Sequence, residues 1–231
     1  LTGTVPGTLE PLPEALQGYD SRTARLAALG YAEIADAVEG SVARWGARRV
    51  ALVLGTSTGG IDTTESVFFG WHDDGCPVPA RLPAAFTYPT QHPFHAFLDA
   101  IAIRSGIEGP RWVISTACSS SAKVFSSARR LVELDLADAV LVGGVDGLCN
   151  TTVRGFHSLG VMSPEPCRPF GVDRPGMNVG EAGAFLLLER EGDARAWRRG
   201  VGETSDAYHM SSPEPEGAGA LQAMKDALAE G

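Results

Sequence analysis

No apolar run in this 231-residue chain reaches membrane-spanning length, and the N-terminus lacks the charged and apolar regions of a signal peptide. Positive charge is scarce: 19 Lys and Arg stand against 28 Asp and Glu, for a formal net charge of −9. With no basic run either, nucleic acid and the membrane surface are poor partners. Cysteine is sparse as well. Cys76, Cys118, Cys149 and Cys167 form no CxxC pair and no zinc spacing, and a disulfide framework in a chain this long would be unusual. These absences describe a reduced, cytoplasmic protein without a metal site. No internal repeat is visible. Leu1 is not an initiator Met, and Gly231 follows directly on a helical pattern, so the sequence reads as part of a longer polypeptide.

What is present begins with apolar residues, 44% of the chain, ample for one sizeable core or two smaller ones. Residues 1–20 are dense in Pro and Gly and read as loop. From Ser21, a candidate N-cap, a helical pattern runs to Gly46 with Leu26, Leu29, Ile34 and Val38 near one face. Val50 to Leu54 is a buried-strand run, followed by the Gly/Thr/Ser loop Gly55–Gly60. That loop is a weak phosphate cradle, because no Lys follows its glycines, and a tight turn beside an active site suits it better. Residues 70–92 are irregular. Phe94 to Ser105 reads as a helix, Ala139 to Val145 and Ala184 to Glu189 as strands, and Ala218 to Ala229 as a closing helix. Continuous apolar strands alternating with helices predict a parallel sheet covered on both faces, an α/β protein.

The stretch with chemical promise is Arg111 to Arg130. A short apolar run, Trp112-Val113-Ile114, turns through Ser115–Ser121 into a stripe of Val124, Phe125, Ala128, Leu131 and Val132. Cys118 therefore stands where a buried strand breaks into a helix. The first N–H groups of a helix lack intrahelical partners and its dipole is positive there, which favours a thiolate and can stabilise an oxyanion on an attacked carbonyl. The arrangement is that of a nucleophile elbow with sulfur in place of oxygen. A buried cysteine acting as a small hydrophobe is the other reading of the same position.

Taken in order, several motifs resemble the β-ketoacyl-acyl-carrier-protein synthases, condensing enzymes of the thiolase superfamily. They are Gly55-Thr56-Ser57-Thr58-Gly59-Gly60, Ser115-Thr116-Ala117-Cys118-Ser119-Ser120, Val142-Gly143-Gly144-Val145-Asp146 and Cys167-Arg168-Pro169-Phe170. Asp173-Arg174-Pro175-Gly176, Gly180-Glu181-Ala182-Gly183 and Ser205–Met210 continue the series. The resemblance implies a thiolase-like αβαβα layered fold with mixed sheets covered by helices. Residues 1–196 would form the N-terminal half with the nucleophile, and 197–231 the beginning of a C-terminal half. It implies that Cys118 takes an acyl chain from phosphopantetheine, and that the carbanion released by decarboxylating malonyl-acyl carrier protein then attacks the thioester. No cofactor is implied beyond the phosphopantetheine of the carrier. The implied partners are acyl carrier protein and a second subunit, as a homodimer or as a heterodimer with a chain-length-determining partner.

By the same resemblance Phe156 sits at the mouth of the acyl pocket, Ser211 and Ser212 belong to a gating loop that contacts the pantetheine arm, and bulky Phe94 and Phe97 limit acyl length or pack the core. Arg81, Arg129, Arg130 and Arg154 are candidates for carrier docking, although Gly160 stands where relatives often carry a docking arginine. The family's two catalytic histidines and a lysine have no matching motif here. His72, His92, His95, His157 and His209 are the chain's histidines, and none occupies such a motif. The expected activity is a decarboxylating condensation in fatty acid, polyene or polyketide synthesis, complete only with the family's second half. The alternative is a non-catalytic chain-length partner, which lacks the nucleophilic cysteine. A degradative thiolase fits the motifs around Cys167–Phe170 and Ser205–Met210 less well.

Overall fold

The computed structural model describes residues 1–73, 82–84, 86–209 and 212–231, with side chains described throughout these except at 70–73. Cys76, Arg81 and Ser211 lie outside the described residues. The chain divides into two compact units, Leu1–Leu188 and Glu189–Gly231.

The first unit is organised by a four-stranded sheet. Its strands are β2 (Val50–Gly55), β3 (Arg111–Ile114), β4 (Ala139–Asp146) and β6 (Ala182–Glu189), in the order β3-β2-β4-β6. Strands β3 and β4 both run parallel to β2, with Val53 opposite Trp112 on one side and Val142 on the other. Every residue of β2 is buried, as its unbroken apolar run predicts for a strand covered on both faces. A separate two-residue ladder joins β1 (Thr2–Gly3) to β5 (Val179–Gly180).

Alternation along the strands sends side chains to two different cores. Val50, Leu52, Leu54 and Leu141 face one cluster with α1 (Arg22–Ala32), α2 (Ala35–Trp45) and α5 (Ala96–Ser105). Ala51, Val53, Val140 and Val142 face the other, covered by Val124, Ala128 and Leu131 of α6 (Ser120–Glu133). The apolar stripe read from the sequence of α6 is thus the face it buries. At the rim, Arg49 ties β2 to the turn before β4 through Asp138 at 2.6 Å and Asp135 at 2.8 Å.

Several expectations need correction. The helical pattern from Ser21 is two helices. Ser21 caps the first by accepting from the Ala24 N–H at 3.1 Å, but the chain breaks at Glu33–Ile34 before α2 begins. Within α1 the buried face is Thr23, Ala24, Leu26, Ala27 and Tyr31, and Leu29, expected inside, falls off it and is 49% exposed. The Pro-rich leader is loop only in part: Glu14–Tyr19 forms a 3-10 helix, and Leu9, Leu12 and Leu16 are buried in the larger core. Two further helices, α3 (Ile61–Asp73) and α4 (Tyr88–Gln91), occupy sequence read as loop or left unassigned. The segment after β4, whose sequence suits a short helix or a loop, is the short helix α7 (Asn150–Ser158).

In the second unit, α8 (Ala218–Glu230) runs beside the extended segment from Gly200 to Thr204. The Val201 N–H donates to Glu230 at 2.6 Å and the Thr204 hydroxyl to the Gly219 carbonyl at 2.6 Å. Asp206 accepts from the N–H groups of Glu214 and Tyr208, which hold its carboxyl below the usual range. Among the described residues, no helix is long and apolar enough to cross a membrane.

Candidate active site

The parallel strands β2, β3 and β4 end on the same side of the sheet, where open α/β sheets gather their functional loops. From β2 emerges the Thr56–Gly60 loop, from β3 the turn carrying Cys118, and from β4 the connection to α7. Topology alone therefore brings three motifs, far apart in sequence, to one edge.

Cys118 is exposed, two residues ahead of the first residue of α6. Its turn is held by side chains of its own neighbours. The Ser120 hydroxyl donates to the Ala117 carbonyl at 2.7 Å and accepts from the Thr116 N–H at 2.9 Å. The Ser119 hydroxyl donates to the Thr116 carbonyl at 3.0 Å. Within this frame Ala117 takes a left-handed φ of 52°, a conformation an alanine keeps only when its surroundings over-determine it. The run of serines thus serves as scaffolding for a strained turn that presents the thiol.

The start of α6 also sits unusually low on the sheet. A Cβ on Gly55, the last residue of β2, would lie 2.6 Å from the carbonyl carbon of Ser120. A Cβ on Gly144 of β4 would run into the Ser121 hydroxyl. Glycine at the two strand ends is what allows the helix carrying the thiol to begin there.

Sequence reasoning assigned no role to Asp146. Its Oδ1 accepts from the Thr56 hydroxyl at 2.9 Å, the Ser57 N–H at 2.7 Å and hydroxyl at 3.2 Å, and the Thr58 N–H at 3.0 Å and hydroxyl at 2.9 Å. Both sequences belong to motifs already singled out, but their partnership spans about ninety residues and leaves no periodic signal. A hollow lined by Asp146, Ser121, Gly144, Gly180, Ala182 and Ala184 opens beside this clamp.

Glu65 of α3 was missed too. Its carboxylate accepts from the Asn150 N–H at 2.7 Å and from the Thr151 N–H, capping α7 at an end where Cys149 supplies no side-chain cap. Behind it, Glu181 is fully enclosed and binds Arg22 through two nitrogens, one at 2.6 Å, while accepting from the N–H groups of Val5 and Leu148. The Arg22 guanidinium holds the Glu181 carboxyl below the usual carboxylate range, outweighing burial, and the two N–H groups add to it.

The other candidates fall in different places. Phe156 lies on α7, half-buried. Phe97, on α5, is 2% exposed and belongs to the core on the sheet face opposite α6. Phe94 is partly exposed, its ring against Gly59. Ser212 belongs to the second unit, where its N–H donates to His209 Nδ1 at 3.2 Å. Among the docking candidates, Arg129 pairs with Glu133 at 2.7 Å and Arg154 lies over the Phe69 ring at 5.5 Å. His92 Nδ1 shares a hydrogen bond with the Thr64 hydroxyl at 2.7 Å, and its ring stacks on Tyr88.

Comparison with known proteins identifies the arrangement. Residues 43–194 match the family described as beta-ketoacyl synthase, N-terminal domain. The 3-oxoacyl-[acyl-carrier-protein] synthase 2 of Staphylococcus aureus is 30% identical over 195 residues, covering 79% of this chain and 47% of that protein. The chain thus spans about half the length of the curated relatives it matches. Among solved structures, a chain of the complex of the ketosynthase ApeO with its chain length factor ApeC from Xenorhabdus doucetiae superposes with a TM-score of 0.87 at 37% identity, over 98% of this chain and 56% of the other. A beta-ketoacyl synthase from Burkholderia phymatum STM815 gives 0.80 at 22% identity, over 98% and 59%, and so bears on the fold alone. The fold is the thiolase-like α/β arrangement of the ketosynthases. The chain belongs to the beta-ketoacyl synthase family and contains its N-terminal domain.

Proposed function

We propose that this chain is the nucleophile-bearing part of a decarboxylating condensing enzyme, with Cys118 as the acyl-accepting residue. The observation that carries the reading is an exposed thiol on a strained turn at the head of α6, within the stretch that matches the family. The Cys118 thiolate attacks the carbonyl of an acyl thioester carried on phosphopantetheine. The negative charge that develops on the carbonyl oxygen faces the positive end of α6 and the N–H groups of the turn. Collapse of the tetrahedral intermediate expels the pantetheine thiolate, which takes up a proton, and leaves the acyl group on Cys118. Loss of CO2 from a malonyl-carrier thioester then supplies a carbanion. It attacks the acyl-cysteine carbonyl, forming the new C–C bond and returning the thiolate. The groups that assist decarboxylation belong to the remainder of the protein.

The substrates are acyl and malonyl groups on acyl carrier protein; the S. aureus relative, named a 3-oxoacyl-[acyl-carrier-protein] synthase, supports the carrier-bound class. The second reading is a chain-length partner subunit. It is supported by the ApeO–ApeC complex, in which a ketosynthase is paired with a chain length factor. The presence of Cys118 favours the catalytic role, since such partners lack that cysteine. By either reading the protein works as a dimer, with itself or with a related subunit, and Phe156 on α7 lies at the mouth of the acyl path.

Full-length protein given an acyl-carrier-protein thioester should gain the acyl mass on Cys118, located by peptide mass spectrometry. Cys118→Ala should lose that mass completely. Label on Cys149 or Cys167, or label that survives Cys118→Ala, would exclude the assignment. A Cys118→Ala protein that still supports full product formation beside an active partner would establish the chain-length role instead.

A further inference from the structure

Asp146 carries more donors than any other acceptor described near the nucleophile turn, and all of them come from one loop. Five N–H and O–H groups of Thr56, Ser57 and Thr58 converge on its Oδ1 at 2.7–3.2 Å. An oxygen has fewer lone pairs than that, so the donors share it in three-centre contacts, which a charged acceptor strengthens. The carboxylate fastens the loop after β2 to the end of β4. The same loop reaches the nucleophile's strand, because the Thr56 N–H donates to the Ile114 carbonyl at 3.1 Å, just before the Ser115–Cys118 turn. From below, the head of α6 rests on Gly55, adjacent to Thr56, and on Gly144, two residues before Asp146.

We propose that Asp146 is a positioning residue for Cys118: by locking the ends of β2 and β4 together through the Thr56–Thr58 loop, it holds the floor on which the strained nucleophile turn is built. The inference rests on the reading of Cys118 as the acyl-accepting thiol. Small losses of registry at such a floor are expensive, since a displacement of about 1 Å from a distant change can slow a reaction on the order of a hundredfold. Asp146 itself need not touch the substrate. Its influence travels through the loop to Ile114 and through Gly144 to Ser121.

The test uses full-length protein and two readouts. The first is acyl loading of Cys118 from an acyl-carrier-protein thioester, at varied donor concentration. The second is alkylation of Cys118 by iodoacetamide, which needs no acyl donor. Asp146→Ala should lower the maximal loading rate by roughly 10- to 100-fold, with the half-saturating donor concentration within about twofold of the parent, and should slow alkylation in parallel. Asp146→Asn keeps an acceptor oxygen in place and should recover most of the loss. Thr58→Val, which removes one donor and leaves the carboxylate, should slow loading about threefold, and the double variant should be no slower than Asp146→Ala alone. Loading and alkylation both within twofold of the parent in Asp146→Ala, or multiplicative effects in the double variant, would overturn the positioning role. If Asp146→Ala does not fold, Thr58→Val with Asp146→Asn decides on the same criteria. A parent protein that alkylates at Cys118 but takes no acyl group refutes the proposed function instead, and the alkylation comparison then judges Asp146 by itself.

Discussion

Helices α6 and α8 are nearly the same length, 14 and 13 residues, and both carry an apolar stripe at helical spacing. In α6 the stripe is closed off: Val124 and Ala128 are inaccessible and Leu131 almost so. In α8 the aligned Leu221, Met224 and Leu228 are all exposed, Leu228 at 82%. The difference lies in what each unit offers. The first supplies the β2–β4 sheet face, a flat apolar surface that a helix can cover along its length. The second supplies one extended segment, whose Gly200 and Gly202 run close beside Ala227 and Ala223. None of the described residues of the second unit is buried. A stripe in a sequence is a capacity for burial, and a partner surface realises it.

The contrast can be broken most severely at the floor of α6. Gly55→Ala would force a methyl group within 2.6 Å of the Ser120 backbone, which cannot yield as a side-chain tip could. The head of the helix would have to lift, and acyl loading of Cys118 should fall by more than tenfold, along with the thermal midpoint. Next in size is a direct comparison of the two stripes. Leu131→Ala should destabilise the protein by about 2–5 kcal/mol in denaturant unfolding, the range for a truncated core leucine. Leu228→Ala, measured in this same chain, should stay within about 0.5 kcal/mol. Equal losses at the two sites would mean that α8 is as well covered in solution as α6.

A smaller effect separates the polar anchor from both stripes. Glu181→Gln removes the charge that Arg22 pairs with inside the first unit. The loss should be less than the about 3–5 kcal/mol of a fully buried pair, because Arg22 keeps partial contact with water. Its pH dependence has a defined sign. Arg22 lowers the Glu181 carboxyl from its ordinary value of 4.5, so the stability it contributes is fully present above that value and is lost as pH falls below it. The gap in thermal midpoint between parent and Glu181→Gln should therefore be constant near neutrality and shrink below about pH 4.5. A gap unchanged down to about pH 3 would show that Gln fails for reasons of packing and not of charge.

Much of the first unit was legible in the residues themselves. The strands at Val50, Trp112, Ala139 and Ala184 announced themselves as apolar runs of strand length, and Ser21 as a cap, but β3 and β6, expected to be buried, are edge strands with Trp112 and Leu186 exposed. The break at Glu33–Ile34 was not legible, since residues on both sides favour helix and neither Pro nor Gly marks the stop. Nor was the fate of Phe97: a bulky aromatic on an amphipathic helix reads equally as pocket or as core, and only its place on the sheet face away from α6 makes it core. Leu9, Leu12 and Leu16 lie in a leader whose Pro and Gly density reads as loop, yet all three are buried in the same core as the strands.

The order of residues, by itself, determined the local events: which segments become strand or helix, and that a cysteine falls at a strand-to-helix turn with serines around it. Those follow from short-range sterics and from the period of apolar side chains, which act over a few residues. Only the tertiary structure decided that Asp146 would grip a loop some ninety positions earlier, that Glu65 would cap α7, and that Gly55 and Gly144 would let the head of α6 settle onto the sheet. Those contacts depend on where parallel strands end in space, and that is set by the pairing of distant segments rather than by any neighbour along the chain.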